Sequence, residues 1–463
     1  MSTLVPVAAT LVCRHGDRSP TFNSFEPLTG LAAQEAATWL GLLPSPSLID
    51  ELDARFPTDA TSKQRDDSLG RPFGSLSSLG ILQMRRLGKI VADLFPSPKL
   101  AQVRVTSSDF RRTQLSAKGV LAGLGAKLPR AGLGTVVSSS GQAMLNAWGV
   151  DPILRRLIKA NGLVDVVETS AAEEHAKQVI LRAVPAFGFN LRPFSWLAVL
   201  DHTMSREGKT GGGGPLRGRP VPSRVHELFS LAALPNTSGA YALADVRGAV
   251  SKILLSPSQR DLDAFFSTLT ASAAGGVVTV DALRAFVAGL RLPVPQGGVS
   301  EEAYWDAAQV VESAVCKRFD AMLSISKVGY FAAGGIARRI TEGLERSLAE
   351  WRTDGLPRVE VFSAHDVTLV PLLKLMGCWS SSSPWPGMAS ALVFTLYADA
   401  DGSHPCATLG FYSGVRHAKS GLEPAPWEFE TIVPQLDSVV ADKRGKDAFV
   451  DLERLAGWAK IIR

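Results

Sequence analysis

The sequence predicts an α/β fold, on three observations. Apolar strand-like runs occur at 7–12, 103–106 and 359–362, of a length that suits buried strands. The stretches after 78 and 327 instead repeat their apolar residues every three to four positions, the period of a helix with one buried face. Each strand-like run also leads into a cluster of charged or hydroxylic residues. α/β folds place their sites at such junctions, where a strand ends and a helix begins.

Taken in order, the run at 7–12 passes into Arg14-His15-Gly16-Asp17-Arg18-Ser19-Pro20. An apolar helical patch at 31–43 follows, then a polar stretch over 59–68 that reads as a solvated loop. Leu87, Ile90, Val91, Leu94 and Phe95 share one helical face, with Ser77 or Ser78 as the cap. Pro96 and Pro98 end that helix, and 103–106 is the next strand. Arg112 opens a helix running to about Leu124, where free backbone N–H groups and the positive dipole end favour an anion. From 126 to 314 the pattern is helical and irregular. The core resumes near Tyr304, and Ile336, Ile340, Leu344 and Leu348 mark a long helix over 327–351. The strand at 359–362 enters Ser363-Ala364-His365-Asp366, with a helix from 367 to about 376. Two more strand-like runs, 391–397 and 406–412, are joined by a turn at 399–402 and read as a hairpin.

Several features of the irregular region invite a function that their details exclude. Gly208-Lys209-Thr210 precedes four glycines, yet a phosphate-binding loop needs a glycine five residues earlier, and that position is Thr203. It reads as a surface loop. Residues 266–281 have an EF-hand cadence, with Gly275 at loop position six and Asp281 at twelve. Positions one, three and five are Thr270, Ser272 and Ala274, so the carboxylate cage is missing and a helix-loop-helix without calcium is expected. Asp201-His202 is isolated and reads as a core or surface pair.

The 463 residues allow two domains, or one domain with an insertion, and 46% hydrophobic residues allow a substantial core. A net charge of +5 favours anionic substrates, but no dense Lys/Arg run or aromatic-basic ladder points to nucleic acid. Cys13, Cys316, Cys378 and Cys406 are scattered without a C-x-x-C pair, which argues against a zinc site and a disulfide scaffold while leaving one bridge open. No apolar run approaches the ~18 residues of a membrane span. No signal segment is visible ahead of the first strand, so a cytoplasmic protein is expected. Asn236-Thr237-Ser238 is then a chance sequon.

The chemistry lies in the motifs. Two arginines flanking a histidine suit a phosphate ester: guanidinium groups neutralise and orient the anion, and imidazole can attack phosphorus. The segment 14–20 resembles the R-H-G-x-R-x-P signature of the histidine acid phosphatases, a branch of the histidine phosphatase superfamily. Ser363-Ala364-His365-Asp366 is similar to that family's second motif, and 108–117 to the stretch carrying its third arginine, here Arg112.

This resemblance implies a phosphoglycerate mutase-like core, a mostly parallel sheet flanked by helices, over 1–125 and 315–463. It implies a largely helical cap inserted at 126–314. It further implies that His15 is the nucleophile and Asp366 the general acid and base. Arg14, Arg18, Arg112 and His365 would hold the phosphoryl oxygens, with Arg111 outside the pocket. No metal or cofactor is expected, and the partner is a small phosphate monoester. Residues 364–368 through Trp385-Pro386 look most like the lysophosphatidic acid phosphatase-like group, which implies a lysophospholipid phosphate as substrate. Thr395 departs from the Glu that relatives usually carry in that strand. An inositol-polyphosphate phosphatase, and a catalytically inactive phosphate-binding module, stay open as alternatives, and these motifs set no oligomeric state.

Overall fold

The strand-like run near the start of the chain extends over Val5–Arg14 (β1). The computed structural model describes residues 4–23, 29–59, 71–97, 99–128, 136, 142–160, 169–184, 195–206, 240–242, 277–279, 299, 301–414, 430–431, 450–451 and 455. The other long strands are Gln102–Ser107 (β2), Arg358–Ala364 (β5), Ala391–Ala398 (β6) and Cys406–Tyr412 (β7). Four short ones are Ala240–Ala242 (β3), Val277–Thr279 (β4), Glu430–Thr431 (β8) and Val450–Asp451 (β9). The first four described helices are Thr29–Leu42 (α1), Pro46–Arg55 (α2), Ser78–Asp93 (α3) and Arg111–Leu124 (α4).

Seven strands form one sheet in the order β2-β5-β1-β6-β7-β8, with β9 also pairing to β7. β1 is buried from Val7 onward, which is why it reads as a near-continuous apolar run, while β5 is buried along its whole length with Arg358 and Glu360 among its buried residues. β2, at the sheet edge, alternates buried and half-buried residues. The sheet is α/β as expected, but it is mixed rather than mostly parallel. Only β2-β5 and β5-β1 are parallel among the described ladders; β1-β6, β6-β7, β7-β8 and β7-β9 are antiparallel. The antiparallel half follows from the expected hairpin of β6 and β7, turned by an Asp399–Gly402 backbone hydrogen bond.

Helices α3 and α4 cover one face of the parallel strands. Leu87 and Val91 of α3 meet Leu115, Val120 and Leu121 of α4 in a core shared with Val103, Val105, Val359 and Val361. Ser77 caps α3, its Oγ accepting from the Gly80 N–H at 3.0 Å, and Ser45 caps α2, with Pro46 in its first turn. The two long helices touch backbone to backbone. A Cβ added at Gly88 would collide with the Val120 carbonyl, and one at Gly123 with the Arg85 carbonyl. On the other side, the long helix Ser326–Asp354 buries Ile336, Ile340 and Leu344 and ends at Gly355, whose φ of 66° is left-handed.

The chain divides into two compact units. The first comprises Met1–Thr21, Leu42–Glu168 and Ser313–Arg463, and the second Phe22–Gly41 and Thr169–Glu312. Residues 126–168, which the sequence reading gave to the insertion, thus group with the sheet, while 22–41 group with 169–312. Within the second unit lie Ala171–Ala183, started by a Ser170–Glu173 capping box, and Trp196–Arg206. His202 is fully buried there and stacks on Phe22 at 4.8 Å, a core histidine. The part of the EF-hand-like stretch that is described, β4, pairs antiparallel with β3. The glycine-rich stretch 208–214, the sequon at 236–238, the polar stretch from 60 to 68 and residues 266–276 lie outside the described residues. No disulfide joins the four cysteines, and no described helix is long and apolar enough to cross a membrane.

The α3–α4 contact gives a direct test. Gly88→Val would force two backbones apart and is expected to cost about 1–3 kcal/mol, as overpacking does. A lowered midpoint in urea unfolding is the expected readout; an unchanged midpoint would mean that the helices separate without cost.

Candidate active site

Strand register assembles the site. β1 and β5 run parallel with Arg14 opposite Ala364, so the next residue on each, His15 and His365, leaves the sheet at the same level. One strand further along, β2 pairs Ser107 with Ser363, which brings Ser108 and the start of α4 to the same end. Two backbone bonds prolong these ladders past the strands: His15 N–H to the Ala364 carbonyl and Ser108 N–H to the Ser363 carbonyl, each at 3.1 Å. Residues some 350 positions apart therefore meet through main-chain geometry.

The loop after β1 is held closely. Gly16 lies where a Cβ would collide with the Gly80 carbonyl, so the glycine lets α3 abut the motif. The Gly16 N–H donates to Ser116 Oγ, and the Asp17 N–H to Gln83 Oε1. Ser77 Oγ, besides capping α3, donates to Asp17 Oδ2 at 2.5 Å. Ser19 Oγ donates to the Pro72 carbonyl and accepts from the Ser75 N–H. Both α3 and the segment before it thus fix the loop.

His15 is 2% exposed, and its Nδ1 lies 2.9 Å from the Gly16 carbonyl. A carbonyl only accepts, so Nδ1 carries the proton and the lone pair lies on Nε2. Burial holds the His15 pKa well below its usual 6.5, and the positive charges of Arg112, Arg18 and Arg14, with His365, push it further down. The ring is a neutral imidazole.

The other five residues singled out in the sequence surround it. Arg14 is fully buried; one guanidinium nitrogen donates to the Pro386 carbonyl at 2.6 Å and the other meets Asp366 Oδ2 at 3.0 Å. Arg18 donates to the Ser19 carbonyl at 2.6 Å. Arg112 lies over the Phe110 ring, 4.1 Å from its centroid. The His365 ring stands edge-on to both His15, at 5.7 Å, and Phe110, at 5.2 Å. Its Nε2 meets Ser108 Oγ at 2.9 Å, and Ser108 Oγ meets Thr113 Oγ1 at 2.8 Å. Thr113 spends its hydroxyl proton on the Phe110 and Ser108 carbonyls, so Ser108 donates to Thr113 and accepts the His365 Nε2–H. Asp366 opens the helix Asp366–Leu375. Its Oδ1 accepts from the Val367 N–H, and its Oδ2 accepts from Trp385 Nε1 at 2.9 Å and forms an ion pair with Arg14.

Trp385, Ser108, Thr113 and Phe110 are site residues to which sequence reasoning assigned no part. An indole 19 residues after an acid motif carries no periodic signal. It is placed by packing edge-on against Phe319 and Trp379. Arg111 turns to Asp53, at 2.5 Å, and the buried Lys118 meets the same carboxylate. Thr395 is buried in β6 opposite Ala9 and Thr408. Among the described residues no group of three or more His, Cys, Asp or Glu could hold a metal ion.

Comparison with known proteins follows from this geometry. Residues 8–156 match the family model of the histidine phosphatase superfamily (branch 2). The match supports that family, and with it the hydrolase class. No match was found among curated proteins. Solved structures similar to the chain include the phytase from Citrobacter braakii, at 13% identity, with 100% of this chain and 98% of that chain covered and a TM-score of 0.46. Hafnia alvei phytase in its apo form shows 13% identity, coverage of 99% and 97%, and a TM-score of 0.40. Bifidobacterium longum multiple inositol polyphosphate phosphatase in complex with inositol hexasulfate shows 14%, 97% and 91%, and 0.38.

Three buried guanidinium groups around one neutral imidazole should take up a tetrahedral dianion. Inorganic phosphate at a hundred times its Kd is expected to stabilise the fold by about 2.7 kcal/mol. The rise in Tm should vanish in Arg14→Ala when measured against that variant's own midpoint. An equal rise in both proteins would place the anion elsewhere.

Proposed function

We propose that the chain is a metal-independent phosphomonoesterase that works through a covalent phosphohistidine at His15. The observation that carries this reading is the His15 ring itself: Nδ1 is committed to the Gly16 carbonyl, and burial, together with the surrounding arginines, disfavours protonation of Nε2. A neutral nucleophile inside a cationic, buried shell is what phosphoryl transfer to nitrogen requires.

In the first step Nε2 attacks phosphorus in line with the ester oxygen. The N–P bond forms, the P–O bond breaks, and the leaving alkoxide takes a proton from the Asp366 carboxyl. Arg14, Arg18, Arg112 and His365 hold the three equatorial oxygens, over which the charge is spread in transit. In the second step water attacks the phosphohistidine and gives a proton to the Asp366 carboxylate. The N–P bond breaks, the lone pair returns to Nε2, and phosphate departs. Trp385 positions Asp366 for both proton transfers, since the indole N–H and Arg14 grip the same carboxylate oxygen. The guanidinium groups supply the electrostatic stabilisation that a metal gives other phosphatases.

A largely helical insertion at 126–314 is part of the same proposal. A lysophospholipid phosphate is the substrate that the sequence resemblance favours. The gathering of all six residues in one buried cluster favours a catalyst over a module that only binds phosphate.

His15→Ala is expected to cut hydrolysis of an aryl phosphate by at least about 10³-fold, as loss of a nucleophile does. Wild-type turnover should persist in chelator, and quenching in alkali should trap label on nitrogen. Activity that survives in His15→Ala would refute the mechanism. The pH dependence follows in sign. A lowered pKa keeps the nucleophile neutral into mildly acid solution, so the acid limb of kcat/KM assigned to His15 should fall below pH 6.5. Removing a positive charge in Arg112→Ala should move that limb to higher pH; movement to lower pH would contradict the assignment.

A further inference from the structure

Arg112 has a second environment. Besides acting on His15 through its charge, it lines a cavity of about 370 Å³ whose wall combines apolar side chains, Leu43, Ile49, Phe73, Leu76 and Leu115, with Ser75, Arg71 and Arg111. This volume lies in the range of roughly 300–1,000 Å³ typical of small-molecule sites. The wall is built from several elements: Leu43 just after α1, Ile49 on α2, Phe73 and Leu76 in the segment before α3, and Leu115 on α4. That same segment contacts the nucleophile loop, through the Ser75 N–H to Ser19 Oγ and the Ser77 hydroxyl to Asp17. The cavity is therefore framed by the elements that hold the phosphate end.

We infer that this cavity receives the leaving group of the substrate, and that the leaving group is apolar, an alkyl or aryl chain on a phosphate monoester. The inference rests on the phosphomonoesterase reading and adds to it the chemical class of the alcohol. A phosphoryl group on Arg112 has this cavity beside it. Along the five apolar side chains a polyol hydroxyl would lose water without gaining a partner, and the polar groups of the wall are confined to Arg71, Ser75, Arg111 and Arg112. An alkyl chain loses only water contact, and gains in proportion to the area it buries. Arg71, exposed at the cavity, adds positive charge on one side, which favours entry of the ester as an anion.

The experiment is a kcat/KM series on the full chain with n-alkyl phosphates from ethyl to octyl. Each added methylene is expected to raise kcat/KM about threefold or more until the cavity is filled. Ile49→Asp, at a half-buried cavity position, should flatten that slope. The wild type also provides a test that needs no variant: octylphosphonate, whose P–C bond is not hydrolysed, should inhibit aryl phosphate turnover far more strongly than methylphosphonate. Turnover of ethyl phosphate with a flat series and equal phosphonate inhibition would overturn this inference and leave the phosphatase reading standing. A preference for myo-inositol hexakisphosphate over octyl phosphate would overturn it likewise. A folded wild type that turns over no alkyl or aryl phosphate would overturn the phosphomonoesterase reading itself.

Discussion

The parallel register of β1 against β5 is the constraint on which the site depends. With Arg14 paired to Ala364, each strand releases its histidine at the same height, and a one-residue slip would send every side chain of β1 to the opposite face. The register is fixed from both flanks. β5 is also paired to β2, and β1 to β6, so neither catalytic strand is an edge that could slide. Burial of both strands adds to this, because their apolar side chains have no alternative position that keeps them from water. The geometry of the candidate site is thereby a property of the main chain, which the side-chain contacts refine.

Around that frame the electrostatics are one-sided by design of the partners. Arg14 and Arg18 donate to carbonyl oxygens, and Arg112 lies on a ring face. Carbonyl and ring-face partners orient a guanidinium without an opposing charge, whereas Arg14 also pairs with the Asp366 carboxylate at 3.0 Å. Burial first, and the positive charges of Arg112, Arg18 and Arg14 with it, hold the His15 pKa below its usual 6.5. The arrangement has a cost: the unfolded chain takes up a proton that the folded His15 refuses, so this group subtracts stability as pH falls through 6.5. The enzyme proposed here accepts lower acid stability in exchange for a nucleophile that stays neutral.

Much of this was legible in the sequence, and the division is physical. Strands and helices near the site declared themselves by continuous apolar runs and by the helical period, and the observed β1, β5, α3 and the helix Asp366–Leu375 match those signals. Charged motifs at strand ends were visible because charge after an apolar run is a local pattern. Strand direction is not local. The hairpin of 391–397 with 406–412 was legible, but nothing in 391–397 encodes whether it joins β1 parallel or antiparallel, and that pairing was therefore missed. Trp385 and the Ser108–Thr113 relay were missed for the same reason. Each acts on a residue brought near by the fold, at 19 positions' distance for Trp385 and 257 for Ser108.

The two ends of the candidate site also differ in how they are made. The phosphate end hangs on three parallel strand ends and the loop after β1, elements whose positions are dictated by sheet register and core burial. The apolar cavity beside Arg112 is walled by side chains at helix ends and in the segment before α3, where Leu43, Ile49 and Phe73 could change without disturbing any ladder hydrogen bond. Register constrains which atoms attack and which stabilise, while the cavity wall constrains what can be attached to the phosphorus. A fold assembled in this way can keep one reaction and alter its leaving group by substitution at a few positions. That is why phosphate chemistry is implied by the resemblance at 14–20 and 363–366, whereas the leaving group inferred above rests on the packing of residues with no motif at all.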